Sequence, residues 1–224
     1  MTVNDIIDSA TAEERFASAE INSESVVYVR GDLTKSDDVT RLVQTARDRN
    51  GPMHIALCHV GMAGNSPLLE VTEQDWDRMM AVNTKTAFLL GQAASRSMIE
   101  DNIAGHLIFT VSWVADVPWP DIGPYRASKA AMKELARSFA RELADKGIRA
   151  NAMAPGIVGA GMAKVQWDTD PSYQARAKKA IPLGTLQTVD SVADAFLFLC
   201  SPAADYMTGS VLLVDGGCSL YPMD

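Results

Sequence analysis

The sequence predicts a doubly wound α/β fold, a parallel sheet with helices on both faces. Three observations point there. Short β-branched runs recur along the chain and alternate with longer helical stretches. Most of those runs are apolar through the middle, the pattern of strands covered on both faces. The helical stretches carry start and stop signals at their ends.

In chain order, strands are expected within "SVVYVRGDL" (25–33), "MHIALCHVG" (53–61), "GHLIFTVSW" (105–113), "GIRANAMAPG" (147–156) and "GSVLLVDGG" (209–217). Between them, "KSDDVTRLVQTARDRNG" opens on capping residues and stops at Gly51. "TEQDWDRMMAVNTKTAFLLGQAASRSM" is a long amphipathic helix. "PYRASKAAMKELARSFARELADKG" has Pro124 near its first turn and Gly147 just past its end, the asymmetry a helix favours. "TVDSVADAFLFLCS" follows a Thr or Asp cap. Residues 157–181, with Gly159, Gly161, Asp168, Asp170 and Pro171, read as one long irregular stretch, and such a loop predicts a mobile lid. No repeat, low-complexity tract or linker divides the chain, so a single domain over residues 1–224 is expected.

Composition narrows the function. With 224 residues, 47% hydrophobic and 21% charged, the chain can bury a sizeable core. A net charge of -8 argues against general attraction to nucleic acid or an anionic membrane. Cys58, Cys200 and Cys218 have no CxxC spacing, so neither a disulfide framework nor a metal site is indicated, and a reducing cytoplasm is expected. The start "MTVNDIIDSA" is not a secretory signal, and no apolar run reaches the roughly 18 residues of a membrane span.

Candidate site residues gather where such sheets bind ligands, beyond the carboxyl ends of the strands. Tyr125 and Lys129 lie one helical turn apart and share a face. Ser112 ends the strand "LIFTVS", and "APG" (154–156) ends the next. Asn83 sits inside a helix, where asparagine is a mediocre former. Taken singly, each has an ordinary structural explanation. Rival chemistries lack their signatures: there is no GxSxG elbow, no phosphate-cradling GxxxxGK[ST] loop, and His54, His59 and His106 match no hydrolase order.

Together, Asn83, Ser112 and Tyr125-x-x-x-Lys129 resemble the catalytic set of the short-chain dehydrogenase/reductase family, with its Rossmann-like sheet. "GDL" (31–33) resembles the family's adenine-contacting pair, here Asp32 and Leu33. "APGIV" resembles its Pro-Gly turn beside the nicotinamide, here Pro155, Gly156 and Val158. "YMTGSVLLVDGG" resembles its C-terminal signature. The resemblance covers about residues 1–217 and implies an oxidoreductase passing hydride between a nicotinamide cofactor and a carbonyl or secondary alcohol.

That implied chemistry is physically sensible. Reduction of a ketone requires a proton at its oxygen, and the donor must take it back in the reverse direction. A phenol with a pKa of about 10 is a poor base near neutrality. A lysine ammonium one turn away is expected to lower that pKa and to make Tyr125 the general acid/base. Ser112 is expected to bond the same oxygen. By resemblance, Lys129 also holds the nicotinamide ribose, and Asn83 anchors a water that relays protons to Lys129.

Departures from the family pattern are equally legible. The opening strand, the TGxxxGxG turn and the following helix have no counterpart. "MTVNDI" instead resembles the second strand, making Asp5 the acid on the adenosine ribose and favouring NAD(H) over NADP(H). Three explanations stand open: Met1 is an internal methionine of a longer protein, "SVVYVR" slides into the vacant place, or the chain is a degenerate member. The family's Asn-Asn-Ala-Gly stands here as "CHVG", with Cys58 and Gly61 beside the cofactor, and Ala160 replaces a threonine. The alternative function is therefore a cofactor-impaired protein with a binding or scaffolding role. Trp113, Trp119, Met162 and Trp167 are candidates to line an apolar substrate pocket, against ordinary packing. The resemblance further implies a homo-oligomer, a tetramer or dimer.

Overall fold

The computed structural model describes residues 1–220; the last four residues of the expected 1–224 domain lie outside the described residues. Four strands form the central parallel sheet in the order β3 (Ile55–Cys58), β4 (His106–Thr110), β5 (Arg149–Pro155) and β6 (Val211–Val214). β4 is buried along its whole length. Its side chains alternate between faces, as a pleated strand requires. Leu107 and Phe109 join a core with Met98 and Met132 from α4 (Thr86–Glu100) and α5 (Gly123–Leu143). Ile108 points the other way, into a core with Met153 and with Leu199 of α8 (Val189–Cys200). Two helical layers thus enclose the sheet.

A second, two-stranded parallel sheet pairs β1 (Thr2–Asp5) with β2 (Val27–Arg30), Thr2 opposite Val27 and Asp5 opposite Arg30. "SVVYVR" therefore does not slide into a vacant central place; it pairs with the first strand. The two sheets share a core through α2 (Ser36–Asn50), whose Val39, Leu42 and Val43 pack with Val29 of β2 and Ala56 of β3. On β3, Ile55 and Leu57 stay 42% and 43% exposed.

Three elements differ from expectation. α1 (Ser9–Ser18) is a short helix not evident in the sequence; Asp8 caps it by accepting from Thr11 N–H at 3.0 Å. The expected loop 157–181 instead contains α6 (Gly161–Thr169) and α7 (Pro171–Ala180). Its apparent breakers are helix starts: Asp170 accepts from Ser172 and Tyr173 N–H at 2.9 and 3.1 Å, and Pro171 occupies the first turn, where no donor is lost. The long helix over 72–98 is α3 (Glu73–Met80) and α4 joined by a π-turn at Ala81–Lys85. Among the described residues no helix is long and apolar enough to cross a membrane.

Candidate active site

The carboxyl ends of β3, β4 and β5 converge on one buried polar cluster. α5 begins here because Pro124 suits a first helical turn, and its four-residue spacing aims Tyr125 and Lys129 at the same place. Lys129 is only 4% exposed. Its Nζ donates to the Thr110 carbonyl at 2.8 Å and lies 5.7 Å from the centre of the Tyr125 ring. Ser112, just past β4, accepts from Val114 N–H at 3.4 Å, and its hydroxyl is the group that opposes the rise of the Tyr125 pKa.

Asn83 sits in the π-turn, a widened helical turn that is frequent at functional sites. The turn sends its fully buried amide inward. Asn83 Oδ1 accepts from Met62 N–H at 2.7 Å, and Nδ2 donates to the Met62 carbonyl at 2.9 Å and to Ser128 Oγ at 2.8 Å. Ser128 in turn donates to the Tyr125 carbonyl at 2.7 Å. The amide thus ties the loop after β3 to the first turn of α5. A Cβ on Gly61 would stand 3.3 Å from both Asn83 Oδ1 and Lys129 Nζ, so only glycine leaves this cradle open.

The electrostatics correct one expectation. Lys129 does not bring the Tyr125 phenol down. Burial raises the Tyr125 pKa above its ordinary 10.0, with the Ser112 hydrogen bond opposing. Burial lowers Lys129 to about 8, because the ammonium is held where water cannot solvate it. Its hydrogen bond goes to the Thr110 carbonyl and not to the phenol oxygen.

The residues expected around a cofactor divide into three groups. Gly61 borders Asn83 and Lys129, and Pro155, Gly156 and Val158 follow one another at the end of β5, against the turn after β6 and Gln187. Gly156 N–H donates to Val214 O at 3.0 Å and Gln187 Oε1 at 2.9 Å, and its Cβ would collide with the Asp215 backbone at 2.7 Å. Val158 bridges to Gln187. Cys58 is different: its side chain is buried against α4, Sγ 3.7 Å from the Ala87 carbonyl, and burial pushes the thiol up to about 12. Only its backbone can face a ligand. At the other sheet, Asp5 ends β1 with Oδ1 on Ile6 N–H at 2.6 Å and Oδ2 3.8 Å from Arg15. Asp32 Oδ1 accepts from Thr34 N–H and hydroxyl at 3.0 and 2.7 Å, which holds its pKa below the usual carboxylate value, and Leu33 is buried in the core.

Of the pocket candidates, Trp113 and Trp119 are buried and meet edge-to-face at 5.3 Å, with Tyr173 against Trp119 at 6.0 Å. Tyr125 and Trp167 pack against this aromatic cluster. Met162 is 53% exposed, and its Sδ accepts from Ala63 N–H at 3.1 Å, joining α6 to the loop after β3. Sequence reasoning missed Ser128, Thr110 and Asp215. Asp215 accepts from Gly217 and Ser219 N–H at 2.9 and 2.8 Å and so fixes the turn against Gly156.

A family model described as enoyl-(acyl carrier protein) reductase matches residues 2–219. The chain belongs to the short-chain dehydrogenase/reductase family. This dehydrogenase is 33% identical over 223 residues to glucose 1-dehydrogenase 2 of Bacillus subtilis, covering 99% of this chain and 86% of that protein. It is 32% identical over 215 residues to 3beta-hydroxysteroid dehydrogenase 1 of Eggerthella lenta, covering 96% and 82% of the two chains. A solved gluconate 5-dehydrogenase from Burkholderia cenocepacia, in complex with NADP and tartrate, superposes with a TM-score of 0.88 at 28% identity, covering 98% of this chain and 85% of that one. This short-chain dehydrogenase is accordingly an oxidoreductase dependent on a nicotinamide cofactor, and the relatives lend no support to a scaffolding role.

The residues present fit part of such a cofactor. Gly61 sets no side chain against Asn83 and Lys129, and the Lys129 ammonium has donors beyond its one bond to Thr110, which suits both to a nicotinamide riboside. No TGxxxGxG turn for a pyrophosphate occurs in the 224 residues.

Proposed function

We propose that this short-chain dehydrogenase interconverts a small-molecule carbonyl and its secondary alcohol, with Tyr125 as general acid/base. The observation that carries the reading is the gathering of three groups: the Tyr125 phenol, the Ser112 hydroxyl that acts on its pKa, and the Lys129 ammonium 5.7 Å from the centre of the tyrosine ring. A bound nicotinamide supplies or accepts the hydride. Everything else falls to this chain. With its pKa raised by burial, Tyr125 holds its proton at neutral pH and delivers it to the carbonyl oxygen as charge develops there. Ser112 donates to the same oxygen and stabilises that charge. Lys129, with hydrogen-bond donors beyond the one on Thr110, holds the nicotinamide ribose and supplies positive charge. Asn83 acts at one remove, locking the Met62 loop and Ser128 around them.

On the cofactor side, Pro155, Gly156 and Val158 border the nicotinamide, and the backbones of Cys58 and Gly61 line its path. Asp32 and Leu33 are assigned to the adenine, and Asp5 to the adenosine ribose, where its carboxylate disfavours a 2′-phosphate and so favours NAD(H) over NADP(H). The substrate enters beside Trp113, Trp119 and Trp167. A cytoplasmic homo-oligomer, dimer or tetramer, completes the reading; the exposed Val211 and Leu213 of β6 supply an apolar edge for it.

The test is Tyr125→Phe, assayed for NADH- and NADPH-linked reduction of a panel of ketones and aldoses. Turnover is expected to fall about a thousandfold, in line with loss of a general acid, at unchanged melting temperature. Wild-type rates in a folded variant would overturn the assignment.

A further inference from the structure

His59 follows β3 directly, where the family pattern has an asparagine, and the mechanism above leaves it unused. Its Nδ1 lies 2.9 Å from Thr110 Oγ1. Thr110 ends β4, and its carbonyl is the acceptor that holds Lys129 Nζ at 2.8 Å. One threonine therefore links the imidazole to the ammonium, by its side chain on one side and its backbone on the other. Phe196 of α8 packs edge-on against the imidazole at 5.8 Å and fixes its plane.

We propose that His59 is a positioning residue for Lys129: its bond to the Thr110 hydroxyl fixes the end of β4 so that the Thr110 carbonyl keeps the Lys129 ammonium beneath Tyr125. The bond anchors the Thr110 side chain, and with it the strand end from which that carbonyl projects. The elements packed on His59 present Thr110 from β4, Phe196 from α8 and Lys129 from α5; Lys129 is the charged group acting on it among the described residues. Burial and this cation keep the imidazole neutral below its ordinary 6.5. Protonation at lower pH sets a second cation beside Lys129, so the same contact makes the lysine's hold sensitive to acid.

The turnover part of this inference rests on the role proposed for Lys129, so the deciding measurement needs no turnover. A 13Cε NMR titration of Lys129 in cofactor-free protein compares wild type, His59→Ala and His59→Asn. An asparagine amide can still bond the Thr110 hydroxyl but does not titrate. In His59→Ala the released ammonium gains water, and its midpoint is expected to rise by at least about half a pH unit. His59→Asn is expected to match wild type above pH 7 and to lose the wild-type step below pH 6.5. An unmoved midpoint in His59→Ala, or an acid step that persists in His59→Asn, overturns the proposal. In steady state, kcat for carbonyl reduction is expected to fall about fivefold to tenfold in His59→Ala with KM little changed, and to recover in His59→Asn. A shifted midpoint with unaltered kcat would support the positioning and count against Lys129 in turnover.

Discussion

The strand ends of the four-stranded sheet and those of the two-stranded sheet are built to different standards. At the first, Asn83, Ser112 and Lys129 are buried; Asn83 and Lys129 are fixed by partners on other elements, and Ser112 by Val114 two residues on. At the second, Asp5 and Asp32 are half-exposed, and their carboxylates bond mainly to near neighbours in sequence, Ile6 and Thr34. Geometry that must be accurate to a fraction of an ångström for proton transfer is over-determined by long-range packing. The carboxylates proposed for the adenosine end rest on local turns. The comparison predicts that damage to the first region removes chemistry, whereas damage to the second shifts affinity and selectivity.

After Tyr125→Phe, the largest expected break is Ser112→Ala. Loss of the hydroxyl that meets Tyr125 should lower kcat for reduction about a hundredfold or more, measured as single-turnover hydride transfer, with the melting temperature within a degree or two. A drop of less than fivefold would remove Ser112 from the chemistry. Next comes Gly156→Ala, where the new methyl would stand 2.7 Å from the Asp215 backbone, so β5 and β6 must part. Overpacking of this kind costs about 1–3 kcal/mol, to be read by urea denaturation, and activity should fall alongside. At the other sheet, Asp5→Ala should change kcat by less than twofold while moving the NADH:NADPH ratio of kcat/KM about tenfold toward NADPH. An unmoved ratio would take Asp5 out of the adenosine site.

A pH experiment sharpens the contrast from the stability side. Lys129 titrates at about 8 in the folded chain against an ordinary 10.5. Between those values the unfolded chain binds the proton and the native chain does not, so native stability rises with pH across that window. Relative to Lys129→Met, wild-type protein should therefore gain stability between pH 8 and 10.5 in chemical denaturation. Tyr125 acts in the opposite sense and only above pH 10, where the unfolded phenol ionises first. Parallel pH curves for the two proteins would contradict the burial of the charge.

The same contrast explains what the sequence could and could not disclose. The strands and α5 were legible because their apolar runs and the Pro124–Gly147 pair report on the chain itself. The proposed catalytic tetrad, Asn83, Ser112, Tyr125 and Lys129, stood out because its side chains carry the chemistry that the family resemblance implies. α6 and α7 were hidden because Asp170 and Pro171 serve breaks and helix starts equally well. α1 was hidden because it buries little beyond Ala12. The partners that aim the tetrad escaped for a different reason. The carbonyls of Thr110, Met62 and Tyr125 belong to the backbone, which no residue type announces. The π-turn at Asn83 is a hydrogen-bond shift with no pattern of its own. The sign of the Tyr125 shift depends on how deeply the phenol is packed, which spacing alone does not reveal.

The central claim is that the fold stores a proton on Tyr125 by burying its phenol against Ser112. A 13Cζ-tyrosine NMR titration of the cofactor-free protein, with Tyr125→Phe to assign the signal, tests it directly. The account predicts ionisation above pH 10, moved higher still in Ser112→Ala because the hydroxyl's hydrogen bond opposes the burial. A Tyr125 signal that ionises at or below pH 10, or one indifferent to Ser112, would contradict it.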